Sequence, residues 1–202
     1  MKQPLPRFLL ACAAVALSAC ASSPPVSYFR LDPVPREART ASAHPAVVTL
    51  GPLQFPEYLR RQQMVVRGTG TSLIVDDYHR WAEPLDLATT RALGSSLEAL
   101  LAGAAIVVEP GMPGFDPDYR LTGSVVQFEA DARGVVTLVA HWSLRRADGT
   151  KVAAPRLGTY DARASATDPG PVAEAMAAAL AQWSRDIAGE LRADVENLAR
   201  SG

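Results

Sequence analysis

Leu53-Gln54-Phe55-Pro56-Glu57-Tyr58-Leu59-Arg60-Arg61-Gln62-Gln63-Met64-Val65-Val66-Arg67 is a turn set between two extended runs, and the rest of the chain is read outward from it. Pro56 fixes its own φ and opens a turn over residues 56–59, while Met64 to Arg67 alternates in the manner of a strand. Upstream, residues 46–50 (Ala-Val-Val-Thr-Leu) form a further extended run that ends at Gly51-Pro52. Downstream, Gly68-Thr69-Gly70-Thr71 separates residues 64–67 from a third run at 73–75, which predicts a hairpin loop. A dinucleotide cradle needs a third glycine and a following helix. Here a strand follows.

The segment closes on Tyr78-His79-Arg80-Trp81-Ala82-Glu83-Pro84. Proline suits the first helical position and Asp86 complements the positive helix end, so a helix is predicted from Pro84 to about Gly103. Its apolar face is Leu93, Leu97, Leu100 and Leu101. Two long extended runs, 118–130 and 135–146, are joined through Asp131-Ala132-Arg133-Gly134. In the second, Val136, Leu138, Ala140, Trp142 and Leu144 alternate with Thr137, His141, Ser143 and Arg145, which predicts a sheet dry on one face and wet on the other. Asp148-Gly149 turns the chain into a last strand within 152–165. Asp168-Pro169-Gly170-Pro171 then starts a helix whose stripe runs Val172, Met176, Leu180, Trp183, Ile187, Leu191, Val195 and Leu198. A stripe of this length is long for a helix that only covers a sheet: either its first half packs on the sheet while the end frays, or Leu191, Val195 and Leu198 meet another subunit or partner. Shorter strands are read at 26–31 and 105–108, and loops at 33–45 and 110–117. The sum is an α+β fold, a mixed or antiparallel sheet with two main helices packed on one face.

The N-terminus carries an address. Lys2 and Arg7 precede an apolar run over residues 8–17, too short to span a bilayer, and Leu17-Ser18-Ala19-Cys20 follows. An aliphatic residue, two small residues and a cysteine look like a bacterial lipobox, which makes residues 1–19 a lipoprotein signal peptide and Cys20 the acylated first residue of the mature chain. Residues 20–25 are then a lipidated tether and 26–200 a single periplasmic domain. Cys12, the other of two cysteines, leaves with the signal, so no disulfide is expected. Stable anchoring needs two or more acyl chains, palmitate among them. Ala21 stands where an aspartate would retain a lipoprotein in the inner membrane, so the expected address is the outer membrane, periplasmic face.

Without Lys2 and Arg7, 18 of the 20 basic residues remain against 21 acidic ones, a formal charge of 18 − 21 = −3. The longest basic clusters are pairs, which argues against nucleic acid and against electrostatic binding to anionic lipid. Catalytic motifs are missing: there is no His-Glu-x-x-His, no cysteine pair for zinc and no nucleophile elbow around Ser95 and Ser96. Asp76 and Asp77 are adjacent on an extended run and so point apart. His44 and His141 have no motif partner. The chain reads as a non-enzyme with neither catalytic nor metal-binding residues, and with no cofactor beyond the covalent lipid on Cys20.

Pro56, Tyr58, Leu59, Arg61, Met64-Val65-Val66, Arg80, Trp81, Glu83, Pro84 and Leu85 together resemble the auxiliary lipoproteins of ABC-type transport, specifically the PqiC-like lipoproteins of intermembrane transport systems. The likeness extends from Tyr28 to the last helix. Arg60 stands where the family more often has an acid, so no ion pair inside the turn is carried over. The resemblance implies a non-catalytic accessory at the outer membrane that docks a periplasmic MCE-domain protein and, through it, an inner-membrane permease moving lipids or other hydrophobic molecules. It also implies a homo-oligomer. Pro56, Tyr58, Arg61, Trp81 and Glu83 are the partner-interface candidates, Tyr, Arg and Trp being the residue types that carry interface energy. The alternative is a free-standing lipoprotein that binds a lipid or small apolar ligand in its own pocket.

Overall fold

A computed structural model describes residues 24–35, 46–101, 105–108, 116–152 and 154–201. The expected signal peptide, Cys20 and most of the expected loops at 33–45 and 110–117, His44 included, lie outside these residues.

The strands are β1 (Ser27–Phe29), β2 (Val47–Leu50), β3 (Gln63–Arg67), β4 (Leu73–Trp81), β5 (Ala105–Val108), β6 (Tyr119–Asp131), β7 (Val135–Arg146) and β8 (Arg156–Arg163); the helices are α1 (Leu85–Leu101) and α2 (Pro169–Ser201). They form one open mixed sheet with α2 packed on β6, β7 and β8, and α1 packed on α2 and β5. The expected α+β class is what the chain adopts.

β6 is the spine of the sheet. Along one edge it pairs antiparallel with β7 from Tyr119 to Ala130, and β7 pairs in turn with β8. Its other edge is shared. β2 runs parallel to its start (Val48 opposite Tyr119), Gln54 bridges to Ser124, and β3 runs parallel to its end (Val66 opposite Ala130). Residues 47–67 are therefore one long path beside β6, interrupted by an excursion that begins after Gln54 and ends at Gln63. β5 extends the sheet beyond β2, and β4 then β1 extend it beyond β3.

A bulge between Val125 and Gln127 changes the phase of β6. Before it the buried apolar residues are Tyr119, Leu121 and Val125; after it they are Phe128 and Ala130, with Val126 pushed into solvent. The extra residue re-aims the strand without breaking its pairing. It also places Glu129 on the pleat face opposite Phe128 and Ala130.

The helices bury most of the predicted stripes. Val172, Met176, Leu180, Trp183, Ile187 and Leu191 are all at most 3 % exposed, each contributing about 1.5–3 kcal/mol of apolar burial. Gly123 leaves room for Leu53 and the β7 backbone, since a Cβ there would stand 3.1 Å from Leu53 Cδ2 and 3.2 Å from the His141 carbonyl, with Trp183 Cζ2 at an ordinary 3.6 Å. On β7 the expected alternation holds: Val136, Leu138, Ala140, Trp142 and Leu144 are buried while His141 and Arg145 are exposed. Ser96 is buried and accepts a hydrogen bond from the Val34 amide at 3.0 Å, tying the segment after β1 to α1.

The far end of α2 corrects one expectation. Leu191 is core, and Asp194 is held by Arg146 (2.6 and 2.9 Å) and by the Tyr119 hydroxyl (3.0 Å). This end of the helix is fastened to the sheet at Leu191 and Asp194, so Leu191 belongs to the core and not to a surface kept for a partner. Val195 and Leu198 remain partly exposed beside Ala46 and Tyr119. Arg146, then the Tyr119 hydrogen bond, hold the Asp194 carboxyl below the usual carboxylate range, against the opposing effect of its burial. A carboxylate depressed on folding adds stability above its unfolded pKa, and that stability disappears as pH falls through the lower folded value. Asp194→Asn is expected to lose about 1.5–3 kcal/mol at neutral pH. Urea midpoints measured from neutral pH down to acid should converge for wild type and variant; a gap that persists at acid pH would show that the carboxylate charge is not what the site uses.

Candidate functional site

The excursion from β6 that holds the Pro56-Glu57-Tyr58-Leu59-Arg60-Arg61 motif is a built feature. Pro56 precedes a single 3-10 turn, Glu57–Leu59, and its carbonyl accepts from the Leu59 amide at 3.0 Å. Three anchors fix the turn. Leu59, 1 % exposed, inserts into the core. The Gln62 carbonyl accepts from the Trp81 amide at 2.6 Å, and the Arg61 carbonyl from the Leu85 amide at 3.3 Å, which joins the turn to the end of β4 and the start of α1. The Tyr58 hydroxyl donates to Glu129 Oε2 at 3.0 Å.

Glu129 is the electrostatic centre of this region. Its side chain is fully buried, yet Oε1 accepts from Arg67 Nη2 (2.6 Å) and Nε (3.2 Å), while Oε2 accepts from Tyr58 and from the Phe128 amide (3.1 Å). A buried carboxylate requires such partners. Burial, followed by the Glu129 charge and hydrogen bond, pushes the Tyr58 hydroxyl up to about 12, so Tyr58 stays a neutral donor through the physiological range. Hydrogen bonding to Glu129 likewise raises the Arg67 guanidinium, which remains a cation. Glu129 and Arg67 were not singled out in the sequence. A lone acid in the apolar run Val125-Val126-Gln127-Phe128-Glu129-Ala130 was the available signal.

The motif residues separate into fastenings and surface. Trp81 is 1 % exposed, so it offers no side-chain surface to a partner and belongs to the core; this corrects its place among the interface candidates. Glu83 binds Arg91 of α1 at 2.6 Å, and Arg91 also reaches the Leu31 carbonyl at 3.4 Å. Pro56, Tyr58 and Arg61 are half-buried and Glu57 is exposed. Arg60 supplies the ion pair that the resemblance did not carry over, contacting Glu57 at 3.2 Å and Asp86 at 3.4 Å. Exposed pairs of this kind position side chains more than they stabilise.

Between the turn and the first turns of α1 lies a cleft of about 540 Å³ lined by Leu53, Phe55, Arg60, Asp86, Leu87 and Thr90 among others. Leu87 stands 56 % exposed at its lip. Two buried polar atoms here, Arg61 Nε and Asp86 Oδ1, have no hydrogen-bond partner among the described residues. The result is a concavity of mixed polar and apolar lining. Among the described residues no group of three or more His, Cys, Asp or Glu side chains is placed to hold a metal ion, and no helix is long and apolar enough to cross a membrane.

The chain is thus an open mixed sheet covered by helices, with the motif turn clamped at its surface. Residues 29–188 match the family described as the ABC-type transport auxiliary lipoprotein component, and the chain belongs to that family. The family is defined by an auxiliary role in transport, attached to a membrane as a lipoprotein. Among solved structures, an uncharacterized protein is similar at 22 % identity with a TM-score of 0.68, covering 83 % of this chain and 99 % of the other. A protein from Xanthomonas campestris is similar at 20 % identity with a TM-score of 0.69, covering 86 % and 99 %. At these identities the likeness establishes the shared fold. A search of curated proteins found no match.

Proposed function

We propose that this protein is a non-catalytic accessory of an MCE-type intermembrane transport system, anchored at the periplasmic face of the outer membrane through acyl chains on Cys20. It docks the periplasmic end of an MCE-domain protein, which connects to an inner-membrane permease, and it works as a homo-oligomer around the route taken by lipid or another hydrophobic cargo. The observation that carries this reading is membership, over residues 29–188, of a family of transport auxiliary lipoproteins. The clamped turn and its cleft supply a docking surface of fixed shape. Pro56, Tyr58 and Arg61 contribute from the turn, with Leu87 added from α1; Glu83 acts by orienting Arg91 and the first turns of that helix.

The test is an affinity pull-down of the anchored protein from native envelopes, with Cys20→Ala as control and the molar mass of the purified protein measured alongside. Recovery of an MCE-domain protein together with a mass above one subunit is the expected result. A monomer that retains lipid and brings down no envelope protein would overturn the docking role in favour of a free-standing carrier. Leu87→Glu is expected to abolish recovery of the partner while leaving the thermal midpoint unchanged, because Leu87 is exposed and its loss removes apolar contact without opening the core.

A further inference from the structure

We propose that the β3–β4 hairpin is the surface on which the domain rests against the bilayer holding its anchor, with Leu73, Ile74 and Val75 as the contacting side chains. This rests on the acylation of Cys20 put forward above and adds the orientation of the body.

Residues 68–75 read Gly-Thr-Gly-Thr-Ser-Leu-Ile-Val, without a charge, between Arg67 and Asp76. Leu73, Ile74 and Val75 are 42 %, 57 % and 40 % exposed. Successive strand residues point to opposite faces, so the exposure of all three means that the hairpin stands clear of the body on both sides. β1 pairs only with His79 to Trp81, which among the described residues leaves the outer edge of β4 open alongside these aliphatic residues. Open apolar edges are normally covered or charged; over residues 73–75 this one carries no charge, and the first carboxylates, Asp76 and the exposed Asp77, follow on the side away from the tip.

The direction of the chain identifies what covers it. β1 is parallel to β4, so the polypeptide reaches Ser27 from the hairpin end, and residues 24–26 are exposed along that approach. Cys20 precedes Ser27 by seven residues, which span at most about 23 Å when extended. Gln63 lies opposite Arg80 and Arg67 opposite Leu73, four strand steps or about 13 Å of rise. A tether of this reach extends at most roughly 10 Å past the hairpin, short enough to hold this end of the sheet at the bilayer. Tyr28 and Tyr78, both exposed on the same pair of strands, are suited to the headgroup level. An uncharged tip enters an interface without stripping water from an ion.

Full-length acylated protein in vesicles of phosphatidylethanolamine and phosphatidylglycerol tests this. Cys20 is acylated in that protein, so Ile74→Cys supplies one free thiol for an environment-sensitive NBD label, and Leu157→Cys on β8 is the exposed control. The expected result is blue-shifted emission at position 74, quenched by doxyl-labelled lipid, with water-like, unquenched emission at 157. Co-flotation with vesicles accompanied by water-like emission at 74 overturns the hairpin contact while leaving the anchor intact. A blue shift at 74 without lipid quenching also overturns it and assigns the hairpin to a protein neighbour such as a second copy. Failure to co-float overturns the anchor and the hairpin contact with it.

Discussion

Arg67→Ala is expected to destabilise the domain by about 3–5 kcal/mol, because it leaves the Glu129 carboxylate buried without its cation. The Glu129 side chain is fully buried against Tyr58, Arg67 and the Phe128 amide, and Arg67, itself 46 % exposed, is the cation it pairs with there. Tyr58→Phe removes one neutral donor to a charged acceptor and should cost less, about 1–2 kcal/mol. Replacing both charges, Arg67→Met with Glu129→Leu, should recover much of the loss, since the desolvation penalty of a buried pair disappears when both ions do. Urea denaturation of the four proteins measures this, with the double variant separating the cost of an orphaned charge from the worth of the pair. An unchanged midpoint in Arg67→Ala would mean that Glu129 has another route to solvation. The functional consequence is local, because Tyr58 and Arg67 are the fastenings that hold the exposed turn to β6.

Trp81→Ala is expected to cost about 3–5 kcal/mol through the cavity it opens beneath the turn. Trp81 is buried, and its amide carries the hydrogen bond to Gln62. Loss of partner binding in this variant would therefore accompany loss of folded protein. Arg61→Ala is the informative counterpart: Arg61 is half-buried, and its Nε has no partner among the described residues, so stability should change by less than about 1 kcal/mol. Thermal midpoints and pull-down yields measured together distinguish the two. If Trp81→Ala keeps the wild-type midpoint yet loses the partner, Trp81 acts at the interface and the core assignment fails.

The two variants separate residues that sequence alone places together. Pro56-Glu57-Tyr58-Leu59-Arg60-Arg61 and Arg80-Trp81-Ala82-Glu83-Pro84 are recognisable as motifs, but a motif does not say which side chains point inward. The fold assigns Leu59 and Trp81 to the core, Glu83 to Arg91, Arg60 to Glu57 and Asp86, and leaves Glu57 with Leu87 at the surface.

Local pattern by itself determined the α+β class, the β6–β7 and β7–β8 hairpins, the dry and wet faces of β7 and the apolar stripe of α2. Those features depend on spacing over a few residues, through periods of two and 3.6 and through turn chemistry at Asp131–Gly134 and Asp148-Gly149. Only the tertiary structure decided that β2 and β3 share one edge of β6, that the motif is an excursion between them, and that Glu129 and Asp194 are partnered by Arg67 and Arg146. These contacts join residues 48 to 71 positions apart. Their partners are selected by closure of the sheet and the desolvation cost of a buried charge, neither of which a local window contains.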